Sequence, residues 1–301
     1  MKFKYSAKKI LLISSLILAA VVLTGCSIPT DPETHEIIQI SSSTTFQEIM
    51  SNENWFSAIF VWPMAQVLNH LTPVIGVAGA IAVLTLVVNG ILMIFTLKSN
   101  VAQQQMQLLQ PEMEKIQRKY EGKDDDASKM KQAQEMQALY SKYNVNPFSM
   151  LLVTFLQFPI IIAMYQAVQR ATAVKTGTFM GLSLETTILN GIKAGQWGYL
   201  IIFIVMGVCQ YASMMLPQYL AKKKAKEEAD KHHRKAPEAQ NAQSKMMQYY
   251  MLIMILVFGL MWPAAMSIYW AIYSLVTILK TLLVQKIIDD QNRKKDGDKT
   301  K

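Results

Sequence analysis

Five apolar stretches, at residues 72–97, 147–169, 199–219, 246–262 and 263–286, dominate the chain. They contain no Asp or Glu, and Lys280 is the one cation inside them, with Lys286 at the last boundary. At about 1.5 Å per residue, stretches of this length approach or match a hydrocarbon core of about 30 Å. A backbone in that medium must satisfy its own N–H and C=O groups, and helices do so within one segment. The reading is an all-α membrane protein with five transmembrane helices. Composition agrees: 51% of the 301 residues are hydrophobic and 17% are charged, outside the usual balance of a soluble domain.

The charges between the stretches orient them. Residues 27–71 hold no Lys or Arg but carry Asp31, Glu33, Glu36, Glu48 and Glu53, so this segment reads as external. Basic residues crowd 98–146 and 220–245 and recur in the tail 287–301, which marks these segments as cytoplasmic. The segment 170–198 holds only Arg170, Lys175 and Lys193 and reads as an external loop. The formal net charge of +9 thus mostly records topology, with the N-terminus outside and the C-terminus inside. A partner of specific nucleic-acid type is not implied.

At the start, Lys2, Lys4, Lys8 and Lys9 precede an apolar run from Ile10 to Leu23, the pattern of a secretory signal over residues 1–25. Leu23-Thr24-Gly25-Cys26 resembles the lipobox of bacterial lipoproteins, which implies cleavage before Cys26 and a diacylglyceryl group on its thiol. An uncleaved signal anchor is the plainer alternative. Two acyl chains would hold the mature N-terminus at the outer membrane surface, each buried methylene adding about 0.8 kcal/mol.

Residues 26–54 are polar and rich in Ser and Thr, which suggests a flexible tether. Over residues 55–71, Trp55, Phe56, Ile59, Phe60, Met64, Val67, Leu68 and Leu71 form one apolar helical face. This suits an external interfacial helix with Trp55 and Trp62 at headgroup level, or a plain lead-in to the first span. Within 98–146, one stripe runs Leu109, Met113, Ile116, Tyr120 and another Met130, Ala133, Met136, Tyr140, Tyr143, with Gly122–Asp126 between them. These spacings predict a cytoplasmic helical hairpin whose stripes pair with each other or present a Met-rich edge to a partner. The loop 220–245 lacks a stripe, and His232 and His233 have no companions at metal-ligand spacing.

No catalytic or phosphate-binding motif is present, and neither a cofactor nor a metal site is expected. Apart from Lys280, the polar residues that enter the apolar stretches are uncharged, and three amides stand out among them. Asn89 lies about 12 Å from the inner end of the first span, Gln157 about 15 Å into the second, and Gln210 about 9 Å from Leu216 towards the inner end of the third. Unpaired amides in hydrocarbon cost several kcal/mol, so the three must bond neighbouring helices or face a wet pocket open to the cytoplasm. Lys280, near the inner interface, is expected to snorkel to water. Cys209 reads as a small core residue.

Several short stretches carry a family resemblance: Thr96-Leu97-Lys98, Leu109-Gln110-Pro111-Glu112-Met113, Tyr143-Asn144-Val145-Asn146-Pro147, Gln157-Phe158-Pro159-Ile160, and Pro263-Ala264-Ala265 with Tyr269-Trp270. In this order, with this topology, the chain resembles a Gram-positive member of the YidC family of membrane protein insertases. The resemblance implies an insertase and chaperone that passes polar segments through a hydrophilic groove open to the cytoplasm. Carried over by position, Gln210 and Trp270 would line that groove, with Gln157 close by and Asn89 at the place where the family usually has an arginine. Loss of that cation weakens attraction for acidic segments and suggests a specialised paralogue. Implied partners are nascent membrane proteins and membrane lipid, with the Sec translocon and the ribosome as further candidates. The rival classes are a small-solute transporter or channel, and a scaffold lipoprotein of a secretion complex that inserts nothing.

Overall fold

The computed structural model describes residues 27–143, 147–231 and 242–299, most of them helical. The signal segment and the lipidation site read at Cys26 lie outside the described residues, as do His232 and His233. In chain order the helices are α1 (Phe46–Asn52), α2 (Trp62–Leu108), α3 (Gln110–Lys119), α4 (Asp126–Lys142), α5 (Pro147–Arg170), α6 (Thr172–Lys175), α7 (Ile188–Lys193), α8 (Gly198–Lys231), α9 (Ala242–Met261) and α10 (Ala264–Lys299). A π-helical turn, Ser57–Val61, leads into α2, and a two-stranded hairpin, β1 (Thr178–Phe179) with β2 (Leu182–Ser183), follows α6. Among the described residues, three helical segments are long and apolar enough to cross a membrane: Ser57–Gln107, Gly198–Lys224 and Ala264–Gln291. A fourth, Gln248–Met261, is apolar but shorter.

The chain forms two compact units. One comprises residues up to Leu84 together with Phe155–Glu185; the other comprises Thr85–Thr154 and Thr186 onward.

In the first unit, the segment expected to be a loose tether is folded. Thr45 caps α1 by accepting from the Glu48 amide at 3.2 Å, and the Glu48 carboxylate accepts in return from the Thr45 amide. Ile40 is fully buried and bridges Ala171: its amide donates to the Arg170 carbonyl at 2.6 Å, and its carbonyl accepts from the Thr172 amide at 3.1 Å. Asn69 closes the same point from α2, its Nδ2 donating to the Ile40 carbonyl at 2.7 Å and its Oδ1 accepting from the Ala173 amide at 3.0 Å. Arg170, read from the sequence as a loop cation, has a side chain of 0% exposure. Its guanidinium grips the Glu53 carboxylate bidentately, Nη1 to Oε2 at 2.8 Å and Nη2 to Oε1, while Nε donates to the Ile38 carbonyl at 2.8 Å. These partners lie more than a hundred residues apart in sequence, which is why composition alone suggested disorder.

The long α2 changes direction inside this unit. Gly76 takes φ +73° and ψ 166°, a conformation open to glycine because it lacks Cβ, and Pro73 removes one helical donor just before it. The break thus falls later than the 71/72 boundary read from the apolar pattern. Trp62 donates its Nε1–H to the Thr44 carbonyl at 2.8 Å and packs edge-on against Phe46.

The second unit is organised by α8 and α10, which share its most extensive interface. The Trp262-Pro263 turn separates α9 from α10, and Ala264 donates its amide to the Thr186 carbonyl at 2.9 Å. Gly259 of α9 allows close approach to α8, since a Cβ there would fall 2.6 Å from Met206 Cε and 2.9 Å from its Sδ. The short helices α3 and α4 pack on each other. Tyr143 donates to Glu112 at 2.8 Å, Tyr120 donates to Glu135 at 2.9 Å, and Lys119 pairs with Glu135. Met106 and Leu109 pack with Met113 and Tyr140 at the root of this pair, whereas Met130 near its tip is exposed.

Candidate functional site

A seam of uncharged polar side chains runs through the second unit. On α2 it comprises Thr85, Asn89, Thr96, Asn100 and Gln104, and all but half-buried Asn89 are buried. Steps of four and seven residues keep them on one helical face. Each bonds locally or across a helix boundary: Asn89 Nδ2 donates to the Thr85 carbonyl at 2.9 Å, Thr96 Oγ1 to the Leu92 carbonyl at 2.6 Å, and Asn100 Nδ2 to Thr96 Oγ1 at 2.8 Å. Gln104 Nε2 donates to Gln285 Oε1 of α10 at 2.7 Å.

The matching face of α10 carries Ser267, Ser274, Thr281 and Gln285, all buried. Ser267 donates to the Gly259 carbonyl at 3.2 Å. Ser274 donates to Gln210 Oε1 of α8 at 2.7 Å, and Ser213 donates to the Gln210 carbonyl at 2.9 Å. Further along α8, Gln218 Nε2 donates to Gln248 Oε1 of α9 at 2.6 Å.

Of the residues read from the sequence, Gln210 is joined to α10 through Ser274. Trp270 lies one helical turn from Ser274, and so on the same face as the Gln210 partner. It is half-buried among aromatic rings, 6.4 Å from Trp262, 6.4 Å from Tyr273 and 6.2 Å from Tyr269. Asn89, in the same unit, satisfies its donor on its own helix. Gln157 belongs to the first unit, half-buried on α5. Lys280 is half-buried, whereas its neighbours Leu279, Leu282 and Leu283 are exposed. Sequence reasoning passes over the seam residues Thr85, Thr96, Asn100, Gln104, Ser267, Ser274, Thr281 and Gln285. Their signal is there: polar side chains repeating at helical spacing within otherwise apolar helices.

Outside the apolar segments, charge concentrates on the α3–α4 pair. The Lys119 ammonium, and then the Tyr120 hydroxyl, hold the Glu135 carboxyl below its ordinary range, and Glu135 in turn raises Lys119. Tyr120 is raised by desolvation and by its bond to Glu135. Lys119 and Lys123 also lie over the Tyr120 ring at 5.4 and 5.6 Å.

The family profile described as 60Kd inner membrane protein matches residues 67–292. A Listeria innocua protein named membrane protein insertase YidC 2 is 31% identical over 287 residues, covering 94% of this chain and 86% of the relative. A Bacillus anthracis protein of the same name is 29% identical, covering 92% of this chain and 94% of its own. The Bacillus subtilis membrane protein insertase MisCA is 27% identical, with 92% of each chain covered. With its apolar helices and matching residues 67–292, the chain belongs to the 60Kd inner membrane protein family, the family of the YidC insertases.

Proposed function

We infer that this chain is a membrane protein insertase whose substrates are nascent membrane proteins. The observation that carries this reading is the seam: hydroxyls and amides, without a carboxylate, bridging α8 and α10 at Gln210–Ser274 within helices otherwise apolar. A polar peptide segment loses its hydration on entering hydrocarbon, and a row of uncharged donors and acceptors lowers that penalty without holding the segment by a strong charge. Its apolar neighbour then partitions into lipid. The groove is lined by Asn89, Gln210 and Trp270 of the second unit and opens to the cytoplasm. Five spans, at 72–97, 147–169, 199–219, 246–262 and 263–286, leave the N-terminus outside and the C-terminus inside a bacterial cell membrane. Cys26 carries the lipid anchor, and the α3–α4 pair is a cytoplasmic hairpin. The protein also acts as a chaperone and works alone or beside the Sec translocon and the ribosome.

Purified protein in liposomes, challenged with a small two-span substrate, tests the activity. Protease-protected substrate is expected with the protein and not with empty liposomes; equal amounts in both would overturn the reading. Cysteines at Asn89 and Gln210 test the groove. Both are expected to react with a membrane-impermeant thiol reagent from the cytoplasmic side, and complete protection would show dry packing instead.

A further inference from the structure

Gln104, Gln285, Asp289 and Lys224 form a continuous chain across three helices of the second unit. Gln104 donates to Gln285 Oε1 at 2.7 Å, Gln285 Nε2 donates to Asp289 Oδ1 at 2.9 Å, and the Lys224 ammonium pairs with the same oxygen. Gln104 and Gln285 are each 7% exposed, while the Lys224 and Asp289 side chains are 25% and 40% exposed. The chain thus runs from a buried amide pair out to a wet ion pair. Gln104 is two residues from Met106 and five from Leu109, which pack with Met113 and Tyr140 at the root of the α3–α4 pair.

The chemistry of the carboxylate gives this chain a direction. An ionised Asp289 only accepts, so Gln285 must present its NH2 to it, one turn along the helix. The Gln285 carbonyl is then left facing Gln104, which must answer with its own NH2. We propose that Asp289 is a positioning residue: by fixing the orientation of the Gln285 amide it holds Gln104, and with it the root of the α3–α4 pair, against α10 during insertion. The proposal rests on the insertase reading for its functional arm and stands on structure alone for the other. Lys224 contributes less, because a partly exposed ion pair is weak and the acceptor role of Asp289 survives without it.

The test uses full-length protein in liposomes, with Asp289→Asn, Asp289→Glu and Lys224→Met compared with wild type. An Asn at 289 can offer either end of its amide, so Gln285 loses its fixed orientation. Amide exchange over residues 104–113 is expected to rise about tenfold in Asp289→Asn, the size of one lost buried hydrogen bond, and to stay near wild type in Asp289→Glu and Lys224→Met. Insertion of the two-span substrate is expected to fall several-fold in Asp289→Asn alone. Unchanged exchange in Asp289→Asn overturns the positioning role. Equal losses in Asp289→Asn and Asp289→Glu also overturn it, since the acceptor would then not be what matters. Raised exchange with normal insertion overturns the functional arm. If wild type itself fails to insert substrate, the insertase reading falls, and the exchange arm is still decided by its own result.

Discussion

The two units solve opposite polar problems. The first buries a full charge: Arg170, with a side chain of 0% exposure, is met by Glu53 on two nitrogens and by the Ile38 carbonyl on the third. The second buries no comparable charge along its seam and relies on Gln210, Ser274, Asn100 and Gln104, each with a single modest bond. A buried ion pair in which each guanidinium nitrogen finds an acceptor is costly to break and fixes one geometry. A row of hydroxyls and amides is cheap to rearrange, because each bond contributes about 0.6 to 2 kcal/mol and finds substitutes readily. The contrast suits a rigid clasp at one place and an exchangeable surface at another.

The largest effect is expected at the clasp. Arg170→Met leaves Glu53 buried without its cation, and a loss of about 3–5 kcal/mol is expected in thermal or denaturant unfolding of the detergent-solubilised protein. The double variant Arg170→Met with Glu53→Met should recover much of that loss, since two apolar side chains leave no orphaned charge. A single-variant loss under about 1 kcal/mol would show that the ion pair does not hold residues 30–54 in place.

A smaller effect is expected at Asn69, which satisfies the Ile40 carbonyl and the Ala173 amide with one side chain. Asn69→Ala orphans the Ala173 amide and leaves the Ile40 carbonyl to Thr172 alone, and should destabilise by about 2 kcal/mol. Limited proteolysis between residues 30 and 54 should quicken in parallel. Proteolysis unchanged from wild type would mean that the backbone bridge between Ile40 and Ala171 is sufficient by itself.

At the seam the expected stability change is smaller still. Ser274→Ala removes one donor to Gln210 and should change unfolding by about 1 kcal/mol or less. Gln210→Leu should be equally mild in stability yet lower insertion several-fold. If Gln210→Leu instead destabilises as strongly as Arg170→Met, the seam is a second clasp and the comparison collapses.

Clasp and seam also differ in how far the amino-acid sequence betrays them. The helical class is legible because apolar runs of membrane length leave few alternatives. Gln210 and Trp270 stand out in local motifs, and the fold joins Gln210 to Ser274, one helical turn from Trp270. The clasp is not. Arg170 looks like any loop cation until Glu53 and Ile38 are seen beside it, and sequence periodicity carries no information on contacts across that distance. The position of the α2 break is also hidden, because apolar patterning continues smoothly through Pro73 and Gly76 while only backbone geometry records the turn. The α2 stripe is partly visible: Asn89 stands out as an amide, whereas Thr85 and Thr96 pass as ordinary residues of an apolar helix.

The smallest expected effect lies on the α3–α4 pair, where charges are exposed. Glu135 is held below its ordinary value of 4.5, first by Lys119 and then by Tyr120. Its contribution to the helix pair is therefore fully present above that ordinary value and is lost as pH falls through the lowered one. Lys119 is raised above 10.5, mainly by its bond to Glu135, so its contribution is present below 10.5 and is lost as pH climbs through the raised value. Between these limits the pairing should not respond to pH. Spin labels at Gln117 and Gln137 should report a constant distance distribution across the neutral range and a broader one in acid. Glu135→Gln should remove the acid response, because Lys119 then has no carboxylate to lose. A distribution that already broadens near neutrality would point to a different titrating group, and the apolar root of Met106, Leu109, Met113 and Tyr140 would then be the part that holds the pair.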